Sequence, residues 1–410
     1  MARSARKTIH PGGDMMGVRV AVAMSGGVDS SVACLLLKRK GFDVVGLTMK
    51  LLAEPTEDAL VPQAPCCSAD MASDARRVCE SLGIPHYTLN MVSEFEEGVV
   101  LPFVSDYAAG RTPNPCLLCN RVMKFGHLLR KAREIGASFV ATGHYARAGR
   151  MEGMGSGDSA RFVDNCDIAL SAERGISGHG ERTLLLRGMD KAKDQSYALY
   201  ALTQDELSHA LFPLGGLTKK EVRRIAKAAG LRTAEKPESQ EICFVTRGYR
   251  AFLHERGVVP EPGPMLDTSG KVVGRHIGIP FYTIGQRRGL GVPSRAPLYV
   301  VGFDLERNAV IVGNREEAMS SACVVRDLNL IASASLDSTV RGTCMVRYRG
   351  AEVVATMRPL DPGRPGGAGE GSEARIDFET PQFAVTPGQA AVLYQGDVVF
   401  GGGTIAAGLR

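Results

Sequence analysis

Two stretches carry residue types whose spacing could do chemistry. The first, Ser25-Gly26-Gly27-Val28-Asp29-Ser30-Ser31, follows an apolar run over 18–24 and runs into a helix-compatible segment over 32–40. The order strand, tight turn, helix leaves unpaired amides above the turn. Gly26 and Gly27 accept backbone angles closed to other residues and leave room for a close ligand, while Asp29, Ser30 and Ser31 favour a helix start. With the helix dipole this makes an anion site, and phosphate is its usual occupant. No Gly-Lys-Ser/Thr ending is present, and the turn does not read GxGxxG, so neither common phosphate fingerprint applies. The second stretch runs from Arg111 to Arg121 and holds Cys116 and Cys119 at C-x-x-C spacing behind Pro113 and Pro115. A thiol near a helix start is biased toward thiolate, the nucleophilic form. From Arg111 to Arg133 there is no acidic residue, while Arg111, Arg121, Lys124, Arg130, Lys131 and Arg133 are basic. Such a face suits phosphate contacts, or is simply a solvated helix face. A third thiol, Cys243, lies far along the chain; alone, it reads as a small buried hydrophobe. Cys66, Cys67 and Cys79 do not have zinc-ribbon spacing relative to the C-x-x-C pair, and no metal site is assigned.

The elements that must position these residues alternate. Strand patterns over 42–49, 86–91 and 138–142 are interleaved with helical patterns over 69–82, 95–108 and 122–135. This predicts an α/β fold with a doubly wound parallel sheet and its ligand at the carboxyl ends of the strands, where Asp29, Met49 and Gly143 fall. The Gly/Ser-rich segment 149–181 reads as a loose excursion, with order resuming at Leu184. Thr218 is a candidate cap for an amphipathic helix stopped by Gly230. Beyond Cys243 short β-prone runs between Gly and Pro predict β domains, with a flexible loop over 363–371. From Arg275 to Phe303 acidic residues are again absent, and Arg275, Arg287, Arg288 and Arg295 punctuate a segment able to track an RNA backbone.

The 410 residues exceed one compact core and predict two or three domains. Hydrophobic residues make up 44% and charged ones 23%, the balance of a soluble protein. No apolar run approaches the ~20 residues of a spanning helix, so no membrane role is expected. The first 16 residues are basic without a secretory core and read as a disordered extension or a misplaced start, Met15 and Met16 being alternatives. Ten cysteines without an export signal read as thiols in a reducing cytoplasm. A net charge of +5 is mild, so a polyanionic partner must be argued from local stretches.

The Ser-Gly-Gly-x-Asp-Ser pattern resembles the PP-loop of the ATP pyrophosphatases, which cleave ATP between its α and β phosphates and leave an adenylated intermediate. From 18 to 405 the chain resembles the bacterial tRNA-specific 2-thiouridylases, or tRNA-uridine 2-sulfurtransferases. The matching blocks are Ser25 to Ser31; Gly46-Leu47-Thr48-Met49-Lys50; Gly110 to Asn120; Ala141-Thr142-Gly143-His144-Tyr145; Lys193-Asp194-Gln195-Ser196-Tyr197; Ile242-Cys243-Phe244; Tyr282 to Gly291; and Thr386-Pro387-Gly388-Gln389. The resemblance implies a PP-loop, adenine nucleotide α-hydrolase-like catalytic domain with a helical tRNA-binding part over 17–245. A small β connector over 246–308 and a C-terminal β-barrel over 309–410 would follow. It implies ATP with Mg2+ as cofactors, tRNA and a sulfur-carrier or persulfide-donor protein as partners, and a monomer.

The same resemblance implies site roles. Ala23, Met24, Ser25, Gly26, Gly27, Val28, Asp29, Ser30 and Met49 would hold ATP, with Gly143 near the adenosine. ATP would adenylate the C2 oxygen of the wobble uridine, and sulfur would displace AMP. Cys243 would carry that sulfur as a persulfide and Cys119 would be the nucleophile that helps release it, the two ending as a disulfide. Asn114, Pro115 and Cys116 would touch the flipped base, which cannot be reached while stacked. His144, Lys193, Asp194, Gln195, Arg347, Tyr348 and Gln389 would contact tRNA. One departure matters: many relatives carry aspartate where this chain has Cys116, and a thiol with an ordinary pKa near ~8.5 replaces a carboxylate poorly. Asp106 or Glu241 could serve instead. Three thiols, Cys116, Cys119 and Cys243, also raise the alternative of an iron–sulfur cluster as sulfur carrier. An amidating PP-loop ligase, the remaining alternative, would have no use for Cys119 and Cys243.

Overall fold

A computed structural model describes residues 17–53, 69–152, 161–172, 182–237, 242–245, 247–360, 366–367 and 369–410. The expected extension over 1–16 lies outside them, as do Cys66, Cys67 and Glu241. At the centre stands β1 (Arg19–Ala23), hydrogen-bonded in parallel to β2 (Asp43–Lys50) on one side and β4 (Phe139–Ala141) on the other. β3 (His86–Asn90) pairs with β2, and the short strand Ala210–Leu211 pairs with β4, so five parallel strands form the sheet. Val20, Ala21 and Val22 are fully buried, as a parallel strand covered on both faces requires. One face packs against α1 (Val28–Arg39), α2 (Ala69–Ser81) and the helix Lys219–Ala228. The chain winds outward in opposite directions on the two sides of β1, which opens a crevice above its carboxyl end.

Several boundaries differ from the sequence expectation. The helices expected at 95 and 122 begin at Val92 and Pro115, and each contains π-helical turns, at Glu96–Val100 and Cys119–His127. The expected excursion over 149–181 is largely ordered where it is described: β5 (Ala146–Glu152) and β6 (Arg161–Asp164) pair antiparallel, and a helix follows at Asn165–Ala172. Its glycines hid the strand pattern, yet Gly149 is needed there, since a Cβ would come 2.0 Å from the Val163 carbonyl oxygen. The expected loop over 363–371 is strand where described, at Gly366–Gly367 and from Gly369 onward. The helix expected near 218 forms with a full capping box between Thr218 and Glu221, and Gly230 adopts φ +66° beyond its end. Cys79 is buried beside the Cys34 sulfur in the sheet's core, away from the C-x-x-C helix, and joins no metal site with it.

After the helix Tyr249–Glu255, four strands (Gly263–Leu266, Val272–His276, Tyr299–Asp304 and Ala309–Gly313) form a small sheet. Met319–Leu330 then pairs with both Gly369–Phe383 and Val398–Leu409, which closes six strands into a barrel. The barrel is not an appendage. β7 (Leu184–Arg187) pairs with β5 and also with the barrel through Leu186 and Val398. Barrel residues Ala390, Val392, Tyr394 and Val399 share one apolar cluster with Ala21, Leu47, Phe125 and Leu128 on the second face of the parallel sheet. No helix among the described residues is long and apolar enough to cross a membrane.

Arg187 sits in this junction. Its guanidinium lies 3.6 Å from the centre of the Tyr394 ring and bridges Asp194 at 3.4 Å and Glu352 at 3.0 Å. Arg187 and Asp194 side chains are 11% and 10% exposed, so removing one strands the other's charge. Arg187→Met is expected to lower the unfolding free energy by roughly 3 kcal/mol. A urea-unfolding midpoint equal to that of the wild type would contradict this.

Candidate active site

The turn after β1 has the geometry its glycines suggest. Gly26 adopts φ +66°, and a Cβ there would lie 2.4 Å from the Met71 carbonyl oxygen. Gly27 is the N-cap of α1, and a Cβ on it would meet only the Ser25 hydroxyl, at 3.5 Å. The turn is cross-braced: the Ser25 amide donates to Ser30 Oγ at 3.2 Å, and Ser31 Oγ donates to the Gly27 carbonyl at 2.8 Å. Ala23, Met24 and Val28 build its walls, with Met24 and Val28 buried. Gly143, just past β4, is required by the helix start, since a Cβ there would come within 2.8 Å of the Asp29 and Ser30 backbone. Sequence reading missed two lysines here. Lys219 Nζ lies 2.8 Å from each carboxylate oxygen of Asp29, which also accepts the Tyr145 hydroxyl at 2.8 Å. Lys236 Nζ donates to the Gly26 carbonyl at 3.2 Å and to Asp74 at 2.8 Å. Both come from later in the chain, where neither has local spacing to the turn.

Cys116 and Cys119 ride on the first turns of the helix spanning 115–134. Asn114 is its N-cap and accepts the Cys116 amide at 3.1 Å, and the buried Pro115 fills the first helical position. Cys243 reaches them through apolar docking. Phe244 wedges among Phe95, Phe103 and Phe252 with ring centres 5.6, 5.2 and 5.3 Å away, and Cys119, Leu118, Val122 and Cys243 line the same cluster. Met49, at the end of β2, packs on that cluster too, which places the thiols beside the carboxyl edge of the sheet. Each thiol lies in the electrostatic reach of the others, and none of the three is in a disulfide.

The expected bias toward thiolate is not found. Burial pushes the Cys119 thiol up to about 12, and burial also raises Cys116, which keeps an exposed edge. Desolvation outweighs both the helix start and the nearby Lys124 ammonium, which acts in the opposite direction. Among the described residues no three His, Cys, Asp or Glu side chains are arranged to hold a metal, so the thiols as they stand do not fit a cluster. Asp106, a candidate substitute for the missing carboxylate, is held by Arg111 at 2.7 Å.

The residues expected at tRNA divide into exposed and internal ones. Arg347 is exposed, and Tyr348 is half-buried with its ring 6.0 Å from Tyr197 and the Arg349 guanidinium 5.2 Å above it. His144 is buried, bonded through Nδ1 to Thr142 Oγ1 at 2.7 Å, and held well below its usual pKa by burial and then by Lys124. Asp194 accepts the Gly188 and Ser196 amides at 3.0 Å, and Gln195 Oε1 accepts the Tyr145 amide at 3.1 Å. Lys193 is half-buried on the same turn. Gln389 donates to the Thr112 carbonyl at 2.7 Å. Of the basic run, Arg111, Lys131 and Arg133 pair with Asp106, Glu134 and Asp205, while Arg121 stays exposed. Arg287 and Arg288 are exposed on a turn whose Gly285 abuts Phe383 and Ala384 of the barrel.

A braced anion turn at the reversal point of a parallel sheet, followed by a small sheet and a closed barrel, defines a multidomain nucleotide-binding protein of HUP type. Residues 18–247 match the family described as tRNA methyl transferase HUP domain, 250–314 its PRC-barrel domain, and 320–405 the aminomethyltransferase beta-barrel domain. The tRNA-specific 2-thiouridylase MnmA of Moorella thermoacetica is 49% identical, the match covering 94% of this chain and 98% of that protein. Those of Pelotomaculum thermopropionicum and Symbiobacterium thermophilum are each 44% identical, covering 95% and 98% of this chain and 98% and 97% of theirs. The chain belongs to the tRNA-specific 2-thiouridylase family.

Two outcomes follow from the geometry. Gly26→Ala places a methyl group against backbone at a left-handed position and is expected to abolish ATP binding measured by calorimetry; unchanged affinity would contradict the turn's role. Cys119 alkylation by iodoacetamide at pH 7.5 should be slower in the folded protein than in urea by roughly two to three orders of magnitude. It should climb with pH without a plateau below pH 10, and equal rates would contradict the burial effect.

Proposed function

We propose that this protein uses ATP to replace the C2 oxygen of a tRNA wobble uridine with sulfur, working in the cytoplasm. The observation that carries this is the meeting of Cys119 and Cys243 on one apolar cluster that Met49, at the carboxyl end of β2, also joins. The matched domain descriptions speak of methyl transfer, but two converging thiols beside a nucleotide turn suit sulfur chemistry. An amidating ligase would gain nothing from them.

ATP binds with its phosphates over the amides of Gly26 to Ser30 and its adenosine toward Met49 and Gly143. Lys219 and Lys236 flank the phosphates as fixed positive charge. Mg2+ carried on the nucleotide would supply positive charge to offset that of the phosphates; Asp29, at the start of α1, and Asp74, on α2, are each already paired with a lysine. The uridine C2 oxygen takes the adenylyl group and pyrophosphate leaves. The terminal sulfur of a Cys243 persulfide, loaded by a donor protein, attacks C2 and AMP departs with the old C–O electron pair. Cys119, having lost its proton to solvent, attacks the inner sulfur of Cys243. That forms the Cys119–Cys243 disulfide and returns the S–S electron pair to the transferred sulfur, completing the thiocarbonyl. Two thiols are oxidised, the transferred sulfur is reduced, and a cellular thiol resets the disulfide. Cys116 and Asn114 border the flipped base, and Arg347, Arg287 and Arg288 meet backbone phosphates.

Nucleoside analysis of tRNA incubated with the protein, Mg-ATP and a persulfide donor tests this. Wild type should yield 2-thiouridine at the wobble position, and Cys119→Ser or Cys243→Ser should lower the yield by about two orders of magnitude or more. AMP capture on tRNA should persist in both variants. Undiminished 2-thiouridine in either would overturn the proposal.

A further inference from the structure

We propose that Lys124 is the fixed ammonium that holds the negative charge of the sulfur anions in the thiol cluster, a positioning residue for the sulfur-transfer step. This rests on the thiolation reading above. Lys124 lies five residues after Cys119. In an α-helix that spacing would turn the two side chains about 140° apart. Here the segment Cys119–His127 is π-helical, with the Leu128 amide bonded to the Met123 carbonyl, and hydrogen bonds spanning five residues return positions five apart to one side of the helix. The π turns therefore swing Lys124 back toward the thiol face.

The ammonium is also tethered. Lys124 Nζ donates to Asn120 Oδ1 at 2.9 Å, and the buried Asn120 is itself fixed by donating Nδ2 to the Ala198 carbonyl at 2.9 Å. Asn120 is neutral, and among the described residues no carboxylate pairs with Lys124, unlike Arg111, Lys131 and Arg133 on the same stretch. Its charge is thus left for the groups that face it: Cys116, Cys119 and His144, with Cys243 next to the two thiols. Burial keeps His144 neutral, so it supplies no competing positive charge. Each sulfur-transfer intermediate puts a negative charge on sulfur in a desolvated cluster: the persulfide terminus, the Cys119 thiolate, and the sulfur leaving Cys243. One cation lowers the cost of all three.

The test is mapped alkylation of Cys119 by iodoacetamide in the full-length protein from pH 7 to 9.5, for wild type, Lys124→Met, Lys124→Arg and Asn120→Ala. Lys124→Met should slow alkylation about tenfold at every pH, the effect of a thiol pKa raised by about one unit. Lys124→Arg should restore most of the rate, and Asn120→Ala should fall between. A merely structural role predicts the reverse, since a loosened site exposes the thiol and speeds alkylation. Rates unchanged or faster in Lys124→Met overturn the proposal; if circular dichroism shows that variant unfolded, Asn120→Ala decides by the same reading. Alkylation needs neither tRNA nor ATP, so a wild type that forms no 2-thiouridine would overturn the thiolation reading without touching this measurement.

Discussion

The arrangement depends on how the loop before the C-x-x-C helix is pinned. The Thr112 amide donates to the Pro387 carbonyl at 2.9 Å, Gln389 donates to the Thr112 carbonyl at 2.7 Å, and the Thr112 hydroxyl lies 3.5 Å from that of Thr283. Gly388, at φ +91°, lets the barrel loop come this close, with a Cβ position 3.0 Å from the Thr112 backbone. A helix start that carries two thiols is thereby fixed from the barrel and from the small sheet at once. The nucleotide sheet fixes the other end of the helix, because Phe125, Leu128 and Leu129 pack on its second face. Three structural units converge on a few residues, so the barrel helps fix the helix start that carries the two thiols.

Against that rigid frame stands a costly electrostatic condition. The cluster that brings Cys243 to Cys119 is apolar, and the apolarity that assembles the thiols also suppresses their ionisation. A persulfide is more acidic than a thiol, so the sulfur to be transferred ionises more readily than the cysteine that later releases it. In the proposed reaction this ranks the two attacks: that of the persulfide is the easier, and that of Cys119 is the one the apolar cluster opposes. Cys116, where the family resemblance leads us to expect a carboxylate, is raised by burial and adds no anion at neutral pH, and Asp106 is held by Arg111. Before any reaction the Lys124 ammonium therefore faces thiols that burial keeps protonated.

The turn Ser25 to Ser31 and the alternation of the first 142 residues were legible because each signal is local: an apolar strand, glycines, and helix-starting side chains in sequence. The helix at Lys219 was legible for the same reason, its capping box lying within four residues. What escaped was set by distance or hidden by composition. Lys219 and Lys236 act on a turn 190 and 210 residues earlier, and no periodicity announces that. β5 and β6 read as loose sequence because Gly149, which permits their close pairing, and the Gly/Ser-rich sequence between and beyond them mask the alternating pattern. The thiolate bias expected from a helix start failed because burial by residues from 242–245 and 92–108 is invisible in the local sequence. Asp194 and Gln195, expected at tRNA, also hold the backbone around them, a role that their local spacing does not announce.

The central claim is that the two distant cysteines act on one sulfur atom. A single turnover with persulfide-loaded protein, Mg-ATP and tRNA, without reductant, followed by peptide mapping, measures this most directly. A Cys119–Cys243 disulfide is expected to appear in step with 2-thiouridine, one for one; 2-thiouridine accumulating while both cysteines remain free thiols would contradict a shared sulfur.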